Sequence, residues 1–357
     1  MKIVVGLSGG FDSFMACYIL VTKGHDVTGV TMKLWDGDLS CKTKKNACYG
    51  PDEEDIEHAK KITEMLSIPH HVIDLSKEYK EYVLRYFIME YASGKTPNPC
   101  VVCNSKIKFG FLLERIRSLG IHFDYFATGH YARIEYDSEK GRYLLKRGLD
   151  IHKDQSYFLY RLTQDQLKQI LFPLGRFCKK ELKTLAMAKG FHDIAKRPES
   201  QDFFCSDYSI ILKDQVKPGN ILDLDGKVIG THKGICHYTI GQRRYLNLAG
   251  LKEPFYVIKI NAEKNEIVAG PKRYLLKRFL LAKDLNWIVP IEEIKEKRLY
   301  AQIRYKTKPA ECKVSQRENG VLVEFLSPQE GIAPGQSVVF YDGDILVGGG
   351  VIDSNSS

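Results

Sequence analysis

The sequence predicts the α/β fold class, with a parallel, doubly wound sheet domain followed by a small central domain and a C-terminal β-barrel-like domain. Strand-like apolar runs alternate with helical runs in the first part of the chain, and short strands separated by turn residues follow from about Asn220. The chain has 357 residues, more than one hydrophobic core usually supports. We expect three domains, over residues 1–207, 208–275 and 276–357.

The first domain is predicted from strand and helix runs in regular alternation. Strands are indicated by "KIVVGL", "HDVTGVTMKLW", "HHVIDL" and "FDYFATGHYARI". Helices are indicated from Phe11 to Gly24, after Pro51, from Tyr79 to Tyr91 and from Asn104. Repeated strand–helix units imply parallel strands joined by helical crossovers.

The last third of the chain carries signals of short antiparallel strands. The run "FYVIKINAEKNEIVAG" predicts a hairpin that turns around Ala262 to Asn265. Apolar residues at alternate positions from Leu299 to Tyr305 predict a strand there. These patterns indicate a small closed or sandwiched β domain.

Composition excludes few classes of function. The chain has 53 Lys and Arg against 44 Asp and Glu, a net charge of +9, which suits a polyanionic partner but is shared by many enzymes. No apolar run is long enough to cross a bilayer, and the N-terminal apolar run breaks at glycines, unlike a signal peptide. We therefore expect a cytoplasmic protein with no membrane partner, in which the nine cysteines form no disulfide framework.

A glycine-rich turn follows the first predicted strand, in "VVGLSGGFDSF". Backbone N–H groups and the helix dipole favour an anion at such a turn. The turn lacks the Lys-Ser/Thr ending of a Walker A loop and does not match the dinucleotide fingerprint. It is predicted to be a different phosphate loop. The string "ATGHYAR" ends a later strand, at the sheet edge where ligands collect, although His130 alone would more often be structural.

The pair Cys100 and Cys103, in "KTPNPCVVCNSKIKFG", is open to several interpretations. A zinc site is disfavoured because no second pair of ligands has suitable spacing, and a thioredoxin-like redox site is weak in this Pro-rich loop. A nucleophilic or sulfur-carrying cysteine fits better. We expect Cys103 to sit just before a helix, where the dipole together with Lys106 and Lys108 favours the thiolate.

The string S-G-G-x-D-S resembles the signature of the PP-loop ATP pyrophosphatases. Six strings between Gly6 and Ile352 resemble, in this order, the bacterial tRNA-specific 2-thiouridylase (MnmA) family: "GLSGGFDS", "GKTPNPCVVCNSKIKFG", "DYFATGHYAR", "RGLDIHKDQSYFLYRL", "THKGICHYTIGQRR" and "PGQSVVFYDGDILVGGGVI". The resemblance implies a PP-loop catalytic domain over residues 1–207 and ATP-dependent 2-thiolation of the wobble uridine of tRNA. ATP would adenylate the C2 oxygen, and sulfur from a cysteine persulfide would displace AMP.

The same resemblance implies roles for individual residues. ATP, with Mg²⁺ near Asp12, would be bound by Gly6, Leu7, Ser8, Gly9, Gly10, Phe11, Asp12, Ser13, Met32 and Gly129. Cys103 would be the nucleophile and Cys205 the persulfide carrier. The target base would contact Asn98, Pro99 and Cys100, and the rest of the tRNA would contact Lys153, Asp154, Gln155, Arg304 and Tyr305. A cysteine desulfurase or a sulfur-relay protein is the implied sulfur donor.

Two departures from the family pattern leave alternatives open. Many relatives have Asp where this chain has Cys100, and the segment from Ser200 to Cys205 is one residue longer than the usual Ser-x-x-x-Cys. Cys100, Cys103 and Cys205 are therefore also candidate ligands of a [4Fe–4S] cluster. The rival classes of function are a PP-loop ligase acting on a small molecule and a non-enzymatic RNA-binding protein.

Overall fold

The computed structural model describes residues 1–37, 47–197, 202–204, 208–294 and 297–353. The chain forms two compact units. The first contains residues 1–83, 100–206 and 344–346, and the second contains residues 84–99, 207–343 and 347–357. Each unit has a buried apolar cluster of its own. The division into three domains stays a prediction.

Strands and α-helices are interspersed along the chain as far as α9, and strands dominate the sequence that follows. The strands are β1 (Lys2–Gly6), β2 (Asp26–Lys33), β3 (Ala47–Tyr49), β4 (His70–Asp74), β5 (Tyr125–Ala127), β6 (Ala132–Asp137), β7 (Arg142–Arg147), β8 (Ile170–Leu171), β9 (Asp202–Phe204), β10 (Gly219–Leu222), β11 (Val228–His232), β12 (Phe255–Asn261), β13 (Glu266–Pro271), β14 (Leu276–Trp287), β15 (Leu299–Gln302), β16 (Ala310–Arg317), β17 (Gly320–Glu330), β18 (Ser337–Asp342) and β19 (Ile345–Ile352). The α-helices are α1 (Phe11–Thr22), α2 (Glu53–Met65), α3 (Ser76–Tyr79), α4 (Arg85–Ala92), α5 (Pro99–Val102), α6 (Leu112–Ser118), α7 (Gln164–Lys168), α8 (Lys179–Ala188) and α9 (His192–Lys196). The segments Lys80–Leu84 and Cys103–Phe111 are π-helical.

The first unit is built on a parallel sheet. Its strand order is β4-β2-β1-β5-β8, and each neighbouring pair is parallel. In the central strand Val4 lies opposite Thr28 on one side and Phe126 on the other. Strands that are covered on both faces are apolar along nearly their whole length, as "IVVG" of β1 is. The carboxyl ends of β1 and β5 therefore bring the glycine-rich turn and "TGH" to one edge of the sheet.

One predicted strand is wrong in extent. The run "FDYFATGHYARI" divides into β5, which belongs to the parallel sheet, and β6, which forms an antiparallel hairpin with β7. The chain leaves the parallel sheet after Ala127, and the backbone at Gly129 lies directly against Asp12. The hairpin extends by pairing with Ile345 and Leu346.

The helix predicted from Asn104 begins earlier. The chain is helical from Pro99 to Ser118, with wide π-helical turns from Cys103 to Phe111. Proline suits the first turn of a helix because its missing N–H has no intrahelical acceptor there. Cys103 consequently lies inside the helix, and the prediction that it precedes the helix is wrong.

The second unit contains a small sheet and a barrel. The small sheet has the order β11-β10-β13-β12, and the predicted hairpin is confirmed by the antiparallel pairing of β12 with β13. Strands β14 to β19 close into a barrel because β14 pairs with both β17 and β19. The predicted strand to Tyr305 is wrong, since β15 ends at Gln302, whose side chain donates to the carbonyls of Arg304 and Tyr305. Within the described ranges, no helix has the length and apolar character needed to span a membrane.

Candidate active site

The glycine-rich turn between β1 and α1 is the candidate anion site. Gly9 has a φ of +68°, and a Cβ there would lie 2.5 Å from the carbonyl oxygen of Asp55, so only glycine fits. The Ser13 hydroxyl donates to the Gly10 carbonyl at 2.9 Å and accepts from the Ser8 N–H at 3.2 Å. No side chain among the described residues caps α1 at Gly10. The first N–H groups of this 12-residue helix lie at the turn where an anion is predicted to bind.

Gly129 forms the second wall of this site. A Cβ on Gly129 would lie 2.6 Å from the carbonyl carbon of Asp12 and 2.8 Å from the Ser13 nitrogen. The "TGH" loop therefore packs backbone to backbone on the glycine-rich turn. Met32, on the neighbouring strand β2, is half-buried near the carboxyl end of that strand. The structure brings together the predicted ATP-binding residues of the turn and Gly129.

A buried lysine lies at the same turn. The Lys179 side chain, 7% exposed, lies with its Nζ 2.8 Å from Oδ2 of Asp12. The hydroxyl of Tyr131 donates to the other oxygen, Oδ1, at 2.8 Å. The ammonium also lies over the rings of Phe11 and Tyr131, at 5.5 and 5.9 Å. A lysine at the first position of α8 thus supplies a desolvated positive charge beside the turn.

Arg197 adds a second cation at the turn. Its guanidinium donates to the Gly9 carbonyl and pairs with Oδ1 of Asp55 at 2.7 Å. Burial raises the pKa of the Asp55 carboxyl, and the charge of Arg197 opposes that rise. Lys179 begins α8 and Arg197 follows α9, so the two cations come from the two ends of this helical segment.

The arrangement does not fit a Mg²⁺ ion bound directly by Asp12. Each of its oxygens already accepts a hydrogen bond, one of them from an ammonium group. A metal ion at this carboxylate would have to displace Lys179 or sit beside its charge, which is electrostatically unfavourable. The positive charge next to Asp12 is supplied by the protein itself.

Cys103 lies in a protected part of the same unit. Burial raises the pKa of its thiol to about 11, and Lys108 opposes this rise without overcoming it. The expectation that the helix dipole, Lys106 and Lys108 favour a thiolate is wrong, because Cys103 lies beyond the first helical turn and Lys106 is exposed. Desolvation therefore keeps the thiol protonated in the free protein.

His130 is held as a neutral ring. Its Nδ1 lies 2.7 Å from Oγ1 of Thr128, and its ring packs against Phe109 and Phe172 at centroid distances of 5.9 and 5.7 Å. Burial lowers the pKa of His130 well below its ordinary value, and the charge of Lys108 lowers it further. A neutral histidine beside the turn can accept or donate a hydrogen bond without adding charge.

Two of the three candidate ligands of a [4Fe–4S] cluster lie in the described part of the chain. Cys205 lies outside the described residues, and Cys100 and Cys103 lie within one turn of the same helical segment. Among the residues that the structure describes, no group of three or more His, Cys, Asp or Glu side chains is arranged to hold a metal ion.

Asn98 and Pro99, the predicted neighbours of the target base, belong to the second unit and are buried. The N–H of Asn98 donates to the Tyr86 hydroxyl at 3.2 Å. The amide of Gln336 donates to the carbonyls of Thr96 and Pro97 at 3.1 and 2.9 Å. The segment that carries Asn98 is therefore fixed within its unit.

The predicted tRNA contacts in "HKDQSYF" differ in character. Asp154 is buried, and its carboxylate accepts from the N–H groups of Gly148 and Ser156 and from Arg147 at 3.0, 3.1 and 3.2 Å. Its carboxylate is thus engaged within the protein. Gln155 accepts from the N–H of Tyr131 at 3.1 Å, whereas Lys153 is half-exposed. Contact of these residues with tRNA stays a prediction.

Arg304 and Tyr305 lie in the turn after β15. The Arg304 guanidinium donates to the carbonyls of Ile240 and Gly331 at 2.7 and 2.6 Å. Arg304 therefore links two loops of the second unit, and both it and Tyr305 are half-buried. Their contact with tRNA likewise stays a prediction.

Three family models together match most of the chain. Residues 1–206 match the family described as tRNA methyl transferase HUP domain, residues 211–271 its PRC-barrel domain, and residues 277–352 the aminomethyltransferase beta-barrel domain. The chain is 47% identical over 356 residues to the tRNA-specific 2-thiouridylase MnmA of Endomicrobium trichonymphae, with 99% of each chain covered. It belongs to the tRNA-specific 2-thiouridylase family.

Further relatives agree with this assignment. The tRNA-specific 2-thiouridylase MnmA 2 of Thermoanaerobacter sp. strain X514 is 46% identical, with 99% of this chain and 98% of the relative covered. That of Acetivibrio thermocellus is 42% identical, with 98% and 99% covered. A solved structure of a predicted tRNA methyltransferase subunit from Methanocaldococcus jannaschii is 18% identical over 53% of this chain and 76% of that one, with a TM-score of 0.31, and adds nothing to the assignment. The predicted family and the predicted fold class are confirmed.

Three residues beside the glycine-rich turn were missed in the sequence. Tyr131, Lys179 and Arg197 contact this turn. Tyr131 stands in the quoted string "ATGHYAR", so its position beside a predicted ligand edge was a usable signal. The two cations are ordinary residues of helical runs, and only the folded chain brings them to the turn.

Proposed function

We propose that this protein catalyses ATP-dependent 2-thiolation of the wobble uridine of tRNA in the cytoplasm. The observation that carries the proposal is a glycine-rich anion site, walled by Gly129 and flanked by the buried cation Lys179, in the same compact unit as a protected thiol, Cys103. An anion site with fixed positive charge suits the departure of pyrophosphate from ATP. A thiol in the same unit suits the sulfur-transfer step.

The two halves of the reaction have separate requirements. Adenylation of the C2 oxygen places negative charge on the leaving pyrophosphate, which the first N–H groups of α1 and the Lys179 ammonium stabilise. A carbonyl oxygen is a poor leaving group, whereas AMP is a good one. Sulfur from a cysteine persulfide then replaces the adenylated oxygen at C2, and AMP departs.

Assignments to the tRNA and to the sulfur donor are part of the proposal. Asn98, Pro99 and Cys100 would face the target base, with Cys103 as nucleophile and Cys205 as persulfide carrier. Lys153, Asp154, Gln155, Arg304 and Tyr305 would contact the rest of the tRNA. The donor would be a cysteine desulfurase or a sulfur-relay protein. The persulfide roles and these contacts have support only from the resemblance of the sequence.

The test is mass spectrometry of the wobble nucleoside after tRNA is incubated with protein, ATP and a small persulfide, with AMP measured in parallel. We expect 2-thiouridine together with tRNA-dependent AMP release. Cys103→Ser should retain AMP release and lose thiouridine, whereas Cys178→Ser, which changes an exposed cysteine, should retain both. AMP release without tRNA and indifference to Cys103→Ser would support a small-molecule ligase. No AMP release would support a binding protein.

The [4Fe–4S] version of the mechanism would use Cys100, Cys103 and Cys205 as ligands. The observation that favours it is a thiol, Cys100, one helical turn from Cys103. Anaerobic purification followed by iron and sulfide analysis tests it. Fully active protein without iron would contradict the cluster.

A further inference from the structure

The basic loop, residues 241–248 of the second unit, presents three consecutive exposed side chains, Arg243, Arg244 and Tyr245. Tyr245 is 74% exposed, the highest value for a large hydrophobic side chain among the described residues. Within the same described part of the chain, neither arginine forms an ion pair and the tyrosine ring packs on no other ring. The loop thus offers two positive charges and an aromatic surface to a partner.

The backbone of the basic loop is fixed although its side chains are exposed. The N–H of Gly241 donates to the carbonyl of Val257 at 2.8 Å, and the N–H of Val257 donates to the carbonyl of Gln242 at 2.9 Å. These two bonds join the loop to β12. The hydroxyl of Tyr238 donates to the carbonyl of Tyr245 at 3.1 Å. The exposed side chains therefore project from a held backbone.

Two residues of the loop have a left-handed backbone. Tyr245 has a φ of +69° and Asn247 a φ of +50°. Asparagine adopts this conformation readily, whereas a bulky aromatic residue rarely does. Leu246, between them, is buried in the apolar cluster of the second unit, and Leu248 packs against the same cluster. This packing holds Tyr245 in a strained conformation with its ring outside, a pattern typical of functional positions.

Arg304 lies directly against the start of the basic loop. Its guanidinium donates to the carbonyl of Ile240 at 2.7 Å, and a Cβ on Gly241 would lie 3.8 Å from its Nη2. Arg304 is one of the proposed tRNA contacts. The exposed side chains of the basic loop therefore adjoin a residue to which an RNA contact is already ascribed.

A cleft of about 470 Å³ opens beside the loop. Its lining includes Arg243, Tyr245 and Lys252. Glu253 also lines the cleft, and its carboxylate is paired with Arg273 at 2.9 Å. The cleft thus combines positive charge with an aromatic wall, and its volume lies within the range of about 300–1,000 Å³ in which small organic groups bind.

We propose that Arg243, Arg244 and Tyr245 form an RNA-binding surface of the second unit. An unpaired base of the tRNA, other than the target uridine, stacks on the ring of Tyr245, and the two guanidinium groups pair with neighbouring phosphates. This inference rests on the proposed function, which supplies tRNA as the RNA. It adds three contacts that the resemblance of the sequence does not imply.

The observations favour RNA over an acidic protein as the partner. The exposed positions beside Tyr245 are Arg244 and Asn247, which are charged or polar. An aromatic anchor in a protein interface is surrounded by contacts that exclude water. Stacking of a base needs only an accessible ring and nearby positive charge, and the loop provides both.

The first experiment measures the affinity of the full-length protein for labelled, unmodified tRNA by fluorescence anisotropy without ATP. Tyr245→Phe should bind as the wild type does, because a phenyl ring also stacks. Tyr245→Gly should weaken binding by about ten-fold through the loss of stacking. The control Tyr300→Ala, which removes another exposed tyrosine of the second unit, should change the affinity little.

Thermal unfolding of Tyr245→Gly separates an RNA contact from a structural role. Glycine adopts a φ of +69° without strain, so this variant should keep or raise the unfolding temperature while its affinity for tRNA falls. In turnover with ATP and a small persulfide, the KM for tRNA should rise by about ten-fold. The KM for ATP and the rate at saturating tRNA should stay unchanged.

The two arginines are tested by the dependence of binding on salt. Arg243→Gln and Arg244→Gln should each reduce the slope of log affinity against log salt concentration by about 0.7, since each removes one phosphate contact. Tyr245→Gly should leave this slope unchanged. The control is Arg298→Gln, which changes an exposed arginine that is paired with Glu311 at 3.4 Å.

Wild-type affinity and an unchanged salt slope in the loop variants would overturn the proposal. Normal tRNA binding combined with a loss of sulfur uptake from a donor protein would also overturn it, because the loop would then bind that protein. Wild-type protein that binds tRNA through the loop but forms no thiouridine would support the surface and contradict the proposed function alone.

Discussion

The Nζ of Lys179 lies 2.8 Å from Oδ2 of Asp12, so the carboxylate in the glycine-rich turn is held by a buried ammonium from the first position of α8. Asp12 is also bound by Tyr131, which fixes the orientation of the carboxylate. The pair joins the turn to a helix that lies far away in sequence. The proposed phosphate site consequently depends on correct docking of α8.

Lys179→Met should weaken both catalysis and folding. We expect AMP formation to fall by about a hundred-fold, because one preorganised charge at the leaving group is lost. The free energy of unfolding should fall by about 2 kcal/mol as Asp12 loses its charged partner. Stopped assays of AMP and urea unfolding measure the two effects. Lys179→Arg should restore part of the rate.

The matched control is Lys180→Met, since the neighbouring lysine is exposed. Lys180→Met should change neither the rate of AMP formation nor the free energy of unfolding appreciably. Equal rates for Lys179→Met and Lys180→Met would contradict a function for the buried ammonium.

Gly129→Ala should disable the phosphate site. Its Cβ would lie 2.6 Å from the Asp12 carbonyl carbon, and backbone cannot move aside as a side-chain tip can. Displacement of the turn by a fraction of an ångström should lower AMP formation by about a hundred-fold. The control is Gly141→Ala, at a hairpin tip with a φ of +62° and open space around the site of the Cβ. If both variants turned over ATP alike, the close packing of the two loops would be irrelevant to catalysis.

The free energy of unfolding should decrease as the pH falls below 6.5, because His130 is neutral in the folded protein. Its folded pKa is lowered, first by burial and then by Lys108, so the unfolded chain binds a proton that the folded chain does not. The stabilising contribution of the neutral ring is present above the unfolded pKa of 6.5 and is lost as pH falls below it. Urea unfolding at about pH 5 and about pH 7 measures this loss.

His130→Gln should flatten that dependence on pH, while His122→Gln, at an exposed position, should leave it unchanged. A ring proton signal of His130 that titrates near 6.5 in magnetic resonance spectra would refute the neutral state.

Alkylation of Cys103 in the free protein should require alkaline pH. Its pKa is raised from 9.0 to about 11, so the thiol dominates at neutral pH and the rate should climb with pH up to about 11. Lys108→Met should shift this profile to higher pH, because Lys108 lowers the pKa. Timed iodoacetamide labelling and peptide mass spectrometry give the profile. The exposed Lys106 provides the control Lys106→Met, and a half-maximal rate below pH 9.0 would argue against burial as the dominant effect.

Arg304→Met should destabilise the second unit. It removes two charge-assisted hydrogen bonds, to Ile240 and Gly331, which together should contribute about 2–4 kcal/mol. Thermal unfolding checks this, with the exposed Lys306→Met as control. Affinity for tRNA should fall along with stability. A fall in affinity with no change in unfolding would show that Arg304 acts on the tRNA directly instead.

Features that depend on local pattern could be predicted from the sequence. The glycine-rich turn, its position between β1 and α1, and the β12–β13 hairpin follow from residues that are close in the chain, because turn geometry and side-chain periodicity are local properties. The family also followed from strings in a fixed order. Cys103 was singled out in the same way.

The charge states and the partners of those residues emerge only in the folded chain. Lys179 and Arg197 reach the turn by long-range packing, which no periodicity records. The state of Cys103 depends on its burial in the folded chain, which outweighs the effect of the nearby Lys108.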